Sequence, residues 1–299
     1  MYLDHLRLAQ DVTVAPSVSF SDVMQEAMYA TEVCSAADAY LIKAEAEMMV
    51  LGSEAEGESE GGFWAKVKTV IRKIWEAIKN LANKIYIFIK SIPGKIMTFY
   101  QKAVMKSSLK NLPELWKKAK AEGRLEAAKD KGIKYLDLDR VPELSSIIIT
   151  LTNPGNPDAV AKFRERMGKV RDGFREKMND KDSVAWVDAS KLKDDDVAEI
   201  ITTAKSGELP YTEDQIIKKF EEGTKTLQKH SDAETKKYDT AYKNKDQEAA
   251  KKLTENLSSI RSLLVEHATC ANFFSSVIFR AISSKAKAIK SIAGISSKE

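Results

Sequence analysis

The chain has 299 residues, of which 31% are charged, and only 13 are glycine and 7 are proline. Many charges with few helix breakers are typical of long solvated helices, so the composition predicts a mainly α-helical protein. The two cysteines, Cys34 and Cys270, are too few for a disulfide framework and lack the set of Cys and His neighbours at zinc-ligand spacing that a zinc site needs. We therefore expect free thiols and no structural zinc.

The sequence lacks the features of an exported or membrane-spanning protein. The first ten residues carry Asp4, His5 and Arg7 instead of a basic start followed by an apolar run, so we expect no signal peptide. The longest uncharged run, residues 144–157, contains two prolines and a glycine, so we expect no transmembrane helix.

The net charge of +4 hides three blocks of different charge. Residues 1–62 hold two bases and twelve acids, residues 63–134 hold eighteen bases and five acids, and residues 135–299 are nearly balanced. Such asymmetry is typical of a chain whose segments have different partners or different fates. We therefore expect the acidic and the basic block to act as separate parts.

The acidic block is predicted to hold a helix and a linker. Ser19 and Asp22 form a helix start, and the Ala-, Glu- and Met-rich stretch after them predicts one helix within an acidic segment 1–51. Residues 52–62 alternate acids with Gly, Ser and Ala and contain no large apolar side chain, which predicts a flexible linker. An ordinary surface loop is the alternative for this stretch.

The basic region, residues 63–134, contains the clearest pattern in the chain. Apolar side chains recur at alternating spacings of three and four over four heptads, which predicts a long helix with a buried stripe. Pro93 and Gly94 are expected to stop or kink this helix, and shorter basic helices are expected after it. We call the stripe the first seam and predict that it is an interaction surface. Its residues are Trp64, Val67, Ile71, Ile74, Ile78, Leu81, Ile85, Phe88 and Ile92.

Residues 135–211 are predicted to form a small mixed or helical region. The alternating stretch 135–139 and the β-branched run 145–152 allow a minor β element around residues 135–152, although helix is favoured for the run. Asn156 followed by Pro157 is a good helix start, and the helix is expected to run to about Met178.

Residues 212–299 are predicted to form a long helical hairpin. Thr212 and Gln215 match a capping box, and an unbroken helix from there to residue 290 would be too long for a compact domain. We therefore expect a turn near residues 242–246, and overall an elongated bundle of long antiparallel helices. A second seam follows the turn, formed by Leu253, Leu257, Ile260, Leu264, His267, Ala271, Phe274, Ile278 and Ala281.

The histidines and the aspartate triplet give weak signals for chemistry. His5, His230 and His267 are far apart in the sequence, and His267 lies on the second seam, where a packed histidine is expected. The acids at 194–196 precede an apolar residue, and acids in the first turn of a helix are stabilised by its dipole without a cation. We therefore predict no metal site.

No catalytic motif is present in the sequence. Asp137 and Asp139 alternate, but a carboxylate pair needs partners across a cleft to act as acid and base, and none is identifiable. Glycine-rich phosphate loops, the nucleophile elbow and the paired-histidine zinc motif are all missing. We predict a non-enzymatic protein with no cofactor and no small-molecule substrate.

The stretch 63–110 has eleven bases and one acid, Glu76, with aromatic residues between its lysines. Three interpretations remain open. The stretch is a core or interface helix with a solvated basic face, or it lies on an anionic membrane with its Trp and Ile side chains inserted. The third interpretation is contact with nucleic-acid phosphates without base readout, since lysine outnumbers arginine.

The junction Glu60-Gly61 and the helix from Phe63 to Lys79 resemble internal or structural virion proteins of large contractile-tailed bacteriophages. In that group such Trp/Lys/Ile amphipathic helices recur, and prohead proteases remove N-terminal segments by cutting after Glu. The resemblance covers about residues 45–100 and implies a processing site at Glu60 and Gly61. Those proteases favour a hydrophobic residue two positions before the Glu, where this chain has Glu58.

The resemblance implies a virion structural or internal protein that acts by helix-mediated assembly. Its partners would be other virion proteins and further copies of the chain, first in the host cytoplasm and then in the particle. The alternative function is that of a membrane-active helical protein or effector that uses residues 63–106.

Overall fold

The structure is a computed structural model that describes residues 60–104, 111–140, 154 and 156–295. The predicted acidic segment 1–51, the linker before Glu60 and the run 145–152 lie outside the described residues. Residues 60–62 form the first turn of a helix, so the predicted linker boundary at residue 62 is wrong by three residues. Trp64 is buried only two residues further on, and its packing holds the preceding turn in place.

The described part of the chain is mainly α-helical, which confirms the predicted fold class. Two short strands, β1 Lys134–Leu136 and β2 Trp186–Asp188, pair antiparallel with Tyr135 opposite Val187. The helices of the described residues are α1 Glu60–Val104, α2 Leu112–Ala121, α3 Arg124–Asp130, α4 Pro157–Asn179, α5 Asp194–Ser206, α6 Tyr211–Asn244 and α7 Gln247–Ala293.

The body of the fold consists of the three long helices α1, α6 and α7, each of which packs against the other two. Trp64 of α1 meets Tyr242 at the end of α6, with ring centroids 6.1 Å apart. Phe99, near the other end of α1, meets Phe279 of α7 at 5.0 Å. These contacts make α1 antiparallel to α6 and parallel to α7, in agreement with the predicted bundle of long helices.

Helix α1 continues through Pro93 to Val104, so of the two predicted effects of this proline, a stop or a kink, the stop is wrong. A proline within a helix removes one backbone hydrogen bond and strains the preceding turn. Ile89, Ile92 and Ile96 are buried on both sides of Pro93, and their packing outweighs that local cost. Tertiary burial therefore overrides the local signal.

Helices α6 and α7 form the predicted hairpin. Helix α6 ends at Asn244, and Lys245 adopts a left-handed conformation, with φ of 53°. Asp246 caps α7 by accepting a hydrogen bond from the Ala249 backbone N–H at 2.9 Å. Every residue of the second seam is buried, including His267, as predicted.

The start of α6 differs from the predicted capping box. The helix begins at Tyr211, directly after Pro210, so Thr212 lies within the first turn instead of capping it. The fixed φ of proline, here −51°, prepares the chain for a helix at the next residue. Helix α4 begins as predicted, because the Asn156 side chain accepts hydrogen bonds from the backbone N–H groups of Asp158 and Ala159.

Helix α7 is the one helix of the described residues whose length and composition would allow it to cross a membrane. In this fold 67% of its most apolar stretch is buried within the chain. A core helix of this kind passes the same test of length and hydropathy as a membrane span, so the observation is weak evidence for a membrane.

Candidate functional site

The first seam lies in the core of the chain itself. Trp64, Val67, Ile71, Ile74, Ile78, Leu81 and Ile85 are buried, as is Ile92, and Phe88 is partly buried against the same core. Helices α6 and α7 supply the neighbours. The predicted interaction seam is therefore used within one chain, and a partner that approaches the folded protein meets the opposite side of α1.

The side of α1 that flanks α6 carries a set of exposed lysines, which we call the lysine face. Helix α6 runs alongside and contributes three further exposed lysines at intervals that keep them on one side of the helix. The lysine face consists of Lys68, Lys79 and Lys90 of α1 together with Lys225, Lys229 and Lys236 of α6.

Tyr86 joins the two halves of the lysine face. The ammonium group of Lys90 lies 4.9 Å from the centre of the Tyr86 ring, and that of Lys225 lies 5.3 Å from the same point. A cation above an aromatic ring is attracted by the ring's negative face, which offsets part of the repulsion between the two lysines. Two positive charges from two helices are thereby held close together at the surface.

Trp75 and Tyr242 fix the rest of this surface. The Trp75 indole N–H donates a hydrogen bond to Asp232 of α6 at 2.9 Å, and Lys79 lies 5.1 Å from the Trp75 ring. Lys68 lies 5.3 Å from the ring of Tyr242, the α6 residue that also packs on Trp64. Partly buried aromatic side chains at the contact between α1 and α6 thus position lysines that face solvent.

Five acids lie on or beside the lysine face, each within one helical turn of one of its lysines: Glu76 of α1 and Glu221, Glu222, Asp232 and Asp239 of α6. Two of them are engaged by other groups. Glu76 accepts a hydrogen bond from Arg72 at 3.0 Å, one turn earlier on α1, and Asp232 accepts the bond from Trp75. Interaction with the Tyr86 hydroxyl, and to a smaller extent the charge of Glu221, raises the pKa of Lys90. Lys90 therefore keeps its positive charge throughout the physiological pH range.

Sequence reasoning found half of this surface. The interleaved lysines and aromatic residues of 63–110 were visible in the sequence, whereas Lys225, Lys229 and Lys236 stood out only as part of a lysine-rich helix. A spacing of four and seven residues between these three lysines was the available signal for one common side. Their position next to α1 required the tertiary structure.

The predicted processing site lies at the end of the described structure. Glu60 is the first residue of α1, and Gly61 and Gly62 follow it in the first turn. A protease must bind its substrate in an extended form, so a cut between Glu60 and Gly61 requires the first turn of α1 to open.

A buried polar cluster joins α4 to α7, and the sequence analysis missed it. Arg171 of α4 donates hydrogen bonds to Glu266 and, at 3.3 Å, to the Sγ of Cys270. Glu266 is 6% exposed, and Arg164 approaches its other oxygen at 3.9 Å. Burial, and then the charge of Glu266, raise the pKa of the Cys270 thiol to about 12. The thiol is therefore protonated near neutral pH and is a poor nucleophile.

His267 lies next to this cluster on α7 and faces α6. Its Nε2 lies 2.6 Å from the carbonyl oxygen of Phe220 and carries the proton, since a carbonyl oxygen only accepts. Nδ1 is buried and has no hydrogen-bond partner among the described residues. Burial lowers the pKa of His267 to about 4, against the smaller opposing effect of the Phe220 hydrogen bond. The imidazole is thus neutral and packed, as its position on the second seam predicts.

The aspartate triplet begins α5, as predicted, and two of its members bind side chains and backbone groups of the protein. Asp194 accepts hydrogen bonds from the Trp116 indole at 2.8 Å and from Lys120 at 2.8 Å. Asp196 pairs with Lys285 at 2.7 Å and caps the helix through the backbone N–H of Lys193. These contacts tie α5 to α2 and α7.

Asp137 and Asp139 lie in a single turn after β1. The Asp137 carboxylate accepts a hydrogen bond from the backbone N–H of Asp139 at 3.2 Å and pairs with Arg140 at 3.4 Å. Their role in the described structure is to shape this turn.

No group of three or more His, Cys, Asp and Glu side chains within the described ranges is placed to hold a metal ion. Neither a protein-family model, nor a curated protein, nor a solved structure matches this chain.

Proposed function

We propose that this chain is a non-enzymatic structural or internal component of a bacteriophage particle, and that it assembles with its partners through the surface that carries the lysine face. The resemblance of residues 60–79 to helices of such virion proteins supports the proposal, as does the division of the chain into acidic and basic blocks. The observation that carries it is a rigid scaffold of long helices that holds six lysines on one exposed side.

Assembly through this surface differs from assembly through the first seam. The seam side chains already fill the space between α1, α6 and α7, so their use by a partner would require α1 to leave the bundle. A charged surface, by contrast, is available in the folded chain. The lysine face suits an acidic protein shell or packaged nucleic acid as a partner. Both are negatively charged, and binding to nucleic-acid phosphates needs positive charge but no base-specific contacts.

The alternative role at a membrane requires a free apolar face. The Trp and Ile side chains that would enter the lipid are those of the first seam, which is buried against α6 and α7. Membrane insertion of residues 63–106 would therefore have to break the helical body apart. Flotation with anionic vesicles tests this role. If residues 63–106 insert into the membrane, α1 must also lose its packing against α6 and α7 in the bound state.

Mass spectrometry of purified phage particles tests the proposed function. The expected result is that peptides from this chain are present in particles in amounts stoichiometric with other structural proteins. Absence of the chain from particles, while it is present in the infected cell, would overturn the proposal. A control preparation disrupted before purification shows how much host-cell protein co-purifies.

The intact mass of the chain in mature particles tests processing. A cut after Glu60 removes two bases and twelve acids, so the net charge rises from +4 to +14. The expected species begins at Gly61 and retains every described helix, since only the first residue of α1 is lost. A full-length chain in mature particles would contradict processing and leave the acidic segment as a permanent part of the virion protein.

A further inference from the structure

We propose that the lysine face binds the acidic N-terminal segment of the same chain, residues 1–59, which covers the face until it is displaced or removed. This inference goes beyond the proposed function and does not rest on it, because it concerns one isolated chain in solution.

Residues 1–59 and the lysine face carry opposite charges. Residues 1–59 contain eleven acids and two bases, and their last sixteen residues contain no base. The lysine face presents six exposed ammonium groups, and Lys90 and Lys225 are held together at the ring of Tyr86. A segment of opposite charge relieves the repulsion between these lysines. The acids nearest to α1 are Glu45, Glu47, Glu54, Glu56 and Glu58.

The acidic segment is long enough to reach the lysine face. The segment joins α1 at Glu60, which lies about 12 Å along the helix axis from Lys68 and about 45 Å from Lys90. The residues from Glu45 to Glu60 span about 50 Å when fully extended, and about 40 Å when residues 45–51 are in the predicted helix of the segment 1–51. The acidic stretch can therefore run back along α1, with Glu58 near Lys68 and Glu45 near Lys90. No acid in this stretch is too far from the face to reach a lysine.

The covalent link between the segment and α1 favours binding. A tethered ligand experiences an effective concentration in the millimolar range, so contacts that are weak one by one suffice for binding. Each exposed pair is weak and screened over a Debye length of about 10 Å at 0.1 M salt. We therefore expect the segment to bind at low salt and to be released at high salt or by a competing polyanion.

Zero-length crosslinking with a carbodiimide tests the inference on the full-length chain, because this reagent joins only a carboxylate and a lysine that touch. At about 0.02 M salt we expect amide bonds between Glu45–Glu58 and lysines of the lysine face, about tenfold more abundant than bonds to Lys162. Lys162 is the matched control, since it is exposed on α4, which packs on α7. At about 0.5 M salt the difference should vanish.

Variants of the full-length chain sharpen the test. The triple change Lys79→Gln, Lys90→Gln and Lys225→Gln is expected to reduce crosslinks from the acidic segment to the three remaining lysines of the face, Lys68, Lys229 and Lys236. Lys162→Gln is expected to leave them unchanged. Because these lysines are exposed, both variants should fold, which circular dichroism verifies before the crosslinking.

Crosslinking an equal mixture of isotopically heavy and light chains distinguishes binding of the segment to its own chain from binding to a second copy. Crosslinks that join only heavy to heavy and light to light support the inference, whereas mixed pairs in a dimer overturn it. Equal labelling of Lys162 and the lysine face also overturns it. A third outcome is that the acidic segment forms no crosslinks to the lysine face, while added duplex DNA protects the same lysines from acetylation. This outcome would overturn the inference and assign the face to a polyanion.

Discussion

Helices α1 and α7 have nearly the same length, 45 and 47 residues, and both carry a heptad seam, yet they meet solvent in opposite ways. Helix α1 buries one stripe and exposes lysines, whereas α7 is buried on most of its surface. The difference lies between the seam positions, where α1 has six lysines and one arginine, whereas α7 has five serines, two arginines and no lysine. A seam determines where a helix packs, and the intervening residues determine how many neighbours it has.

The charged side chains of the two helices also differ in their exposure to solvent. On α1 the lysines are solvated and replaceable, whereas on α7 Glu266 and His267 lie in the core, where Glu266 pairs with arginines of α4 and His267 with the Phe220 carbonyl. Substitutions on the two helices should therefore have effects of very different size.

The largest effect is expected for Ile78→Asp in α1. Ile78 is completely buried, and an unpaired carboxylate there should lower the free energy of unfolding by about 5 kcal/mol or prevent folding. Lys79→Asp is the adjacent control on the exposed side and should cost less than about 1 kcal/mol. Thermal melts followed by circular dichroism compare the two. Equal losses would show that the first seam is not buried.

The next largest effect is expected for Arg171→Met in α4. This change leaves Glu266 of α7 buried without its main partner, which should cost about 3 kcal/mol. The double variant Arg171→Met with Glu266→Gln removes the stranded charge and should recover part of the loss. Urea unfolding of the single and double variants measures the coupling. Additive losses would mean that the two side chains do not interact.

Acid pH should weaken the packing of α7 against α6 through His267. Its pKa is about 4 in the fold and about 6.5 in an unfolded chain, so between these values only the unfolded state binds the proton. The free energy of unfolding should therefore fall as the pH drops below about 6.5, by about 2 kcal/mol between pH 7 and pH 5.

Denaturant titrations at pH 7 and pH 5 measure this dependence. His267→Gln keeps a donor for the Phe220 carbonyl but does not titrate, so the variant should lose most of the difference between the two pH values. His230→Gln, at an exposed site, is the control and should behave as the unchanged chain does. An unchanged pH dependence in His267→Gln would contradict the prediction.

The smallest effect is expected for Gly223→Ala in α6. A Cβ at this position would lie 2.6 Å from Cε1 of His267, so the imidazole or the helix must shift, at a cost of about 1 to 2 kcal/mol. Gly173→Ala in α4 is the matched control, because a Cβ there meets open space. That change should stabilise the protein by about 0.5 kcal/mol. Melting temperatures that move in the same direction for both variants would argue against the close approach of α6 and α7.

Local patterns predicted the features that depend on neighbouring residues. The seam spacings predicted the buried stripes of α1 and α7, Asn156 predicted the start of α4, and the loss of the seam near residue 242 predicted the hairpin turn. Each of these signals lies within a few turns of the structure that it determines, so a single sequence suffices to read it.

Features that depend on distant residues were not predictable. The continuation of α1 through Pro93 depends on packing against other helices, and the pair Arg171 and Glu266 reads in the sequence as two ordinary surface charges. The convergence of Lys90 and Lys225 on Tyr86 likewise needs α6 beside α1. The sequence therefore indicated a basic surface but not its two-helix form.

The position of α1 at the start of the described fold has a consequence for synthesis. Its packing partners α6 and α7 are encoded after it, and about 190 residues separate Val104 from the end of α7. At ordinary translation rates α1 waits roughly 10 to 40 s on the ribosome with its apolar stripe exposed to water. During that interval the isoleucine-rich stripe of α1 is a ready binding site for chaperones.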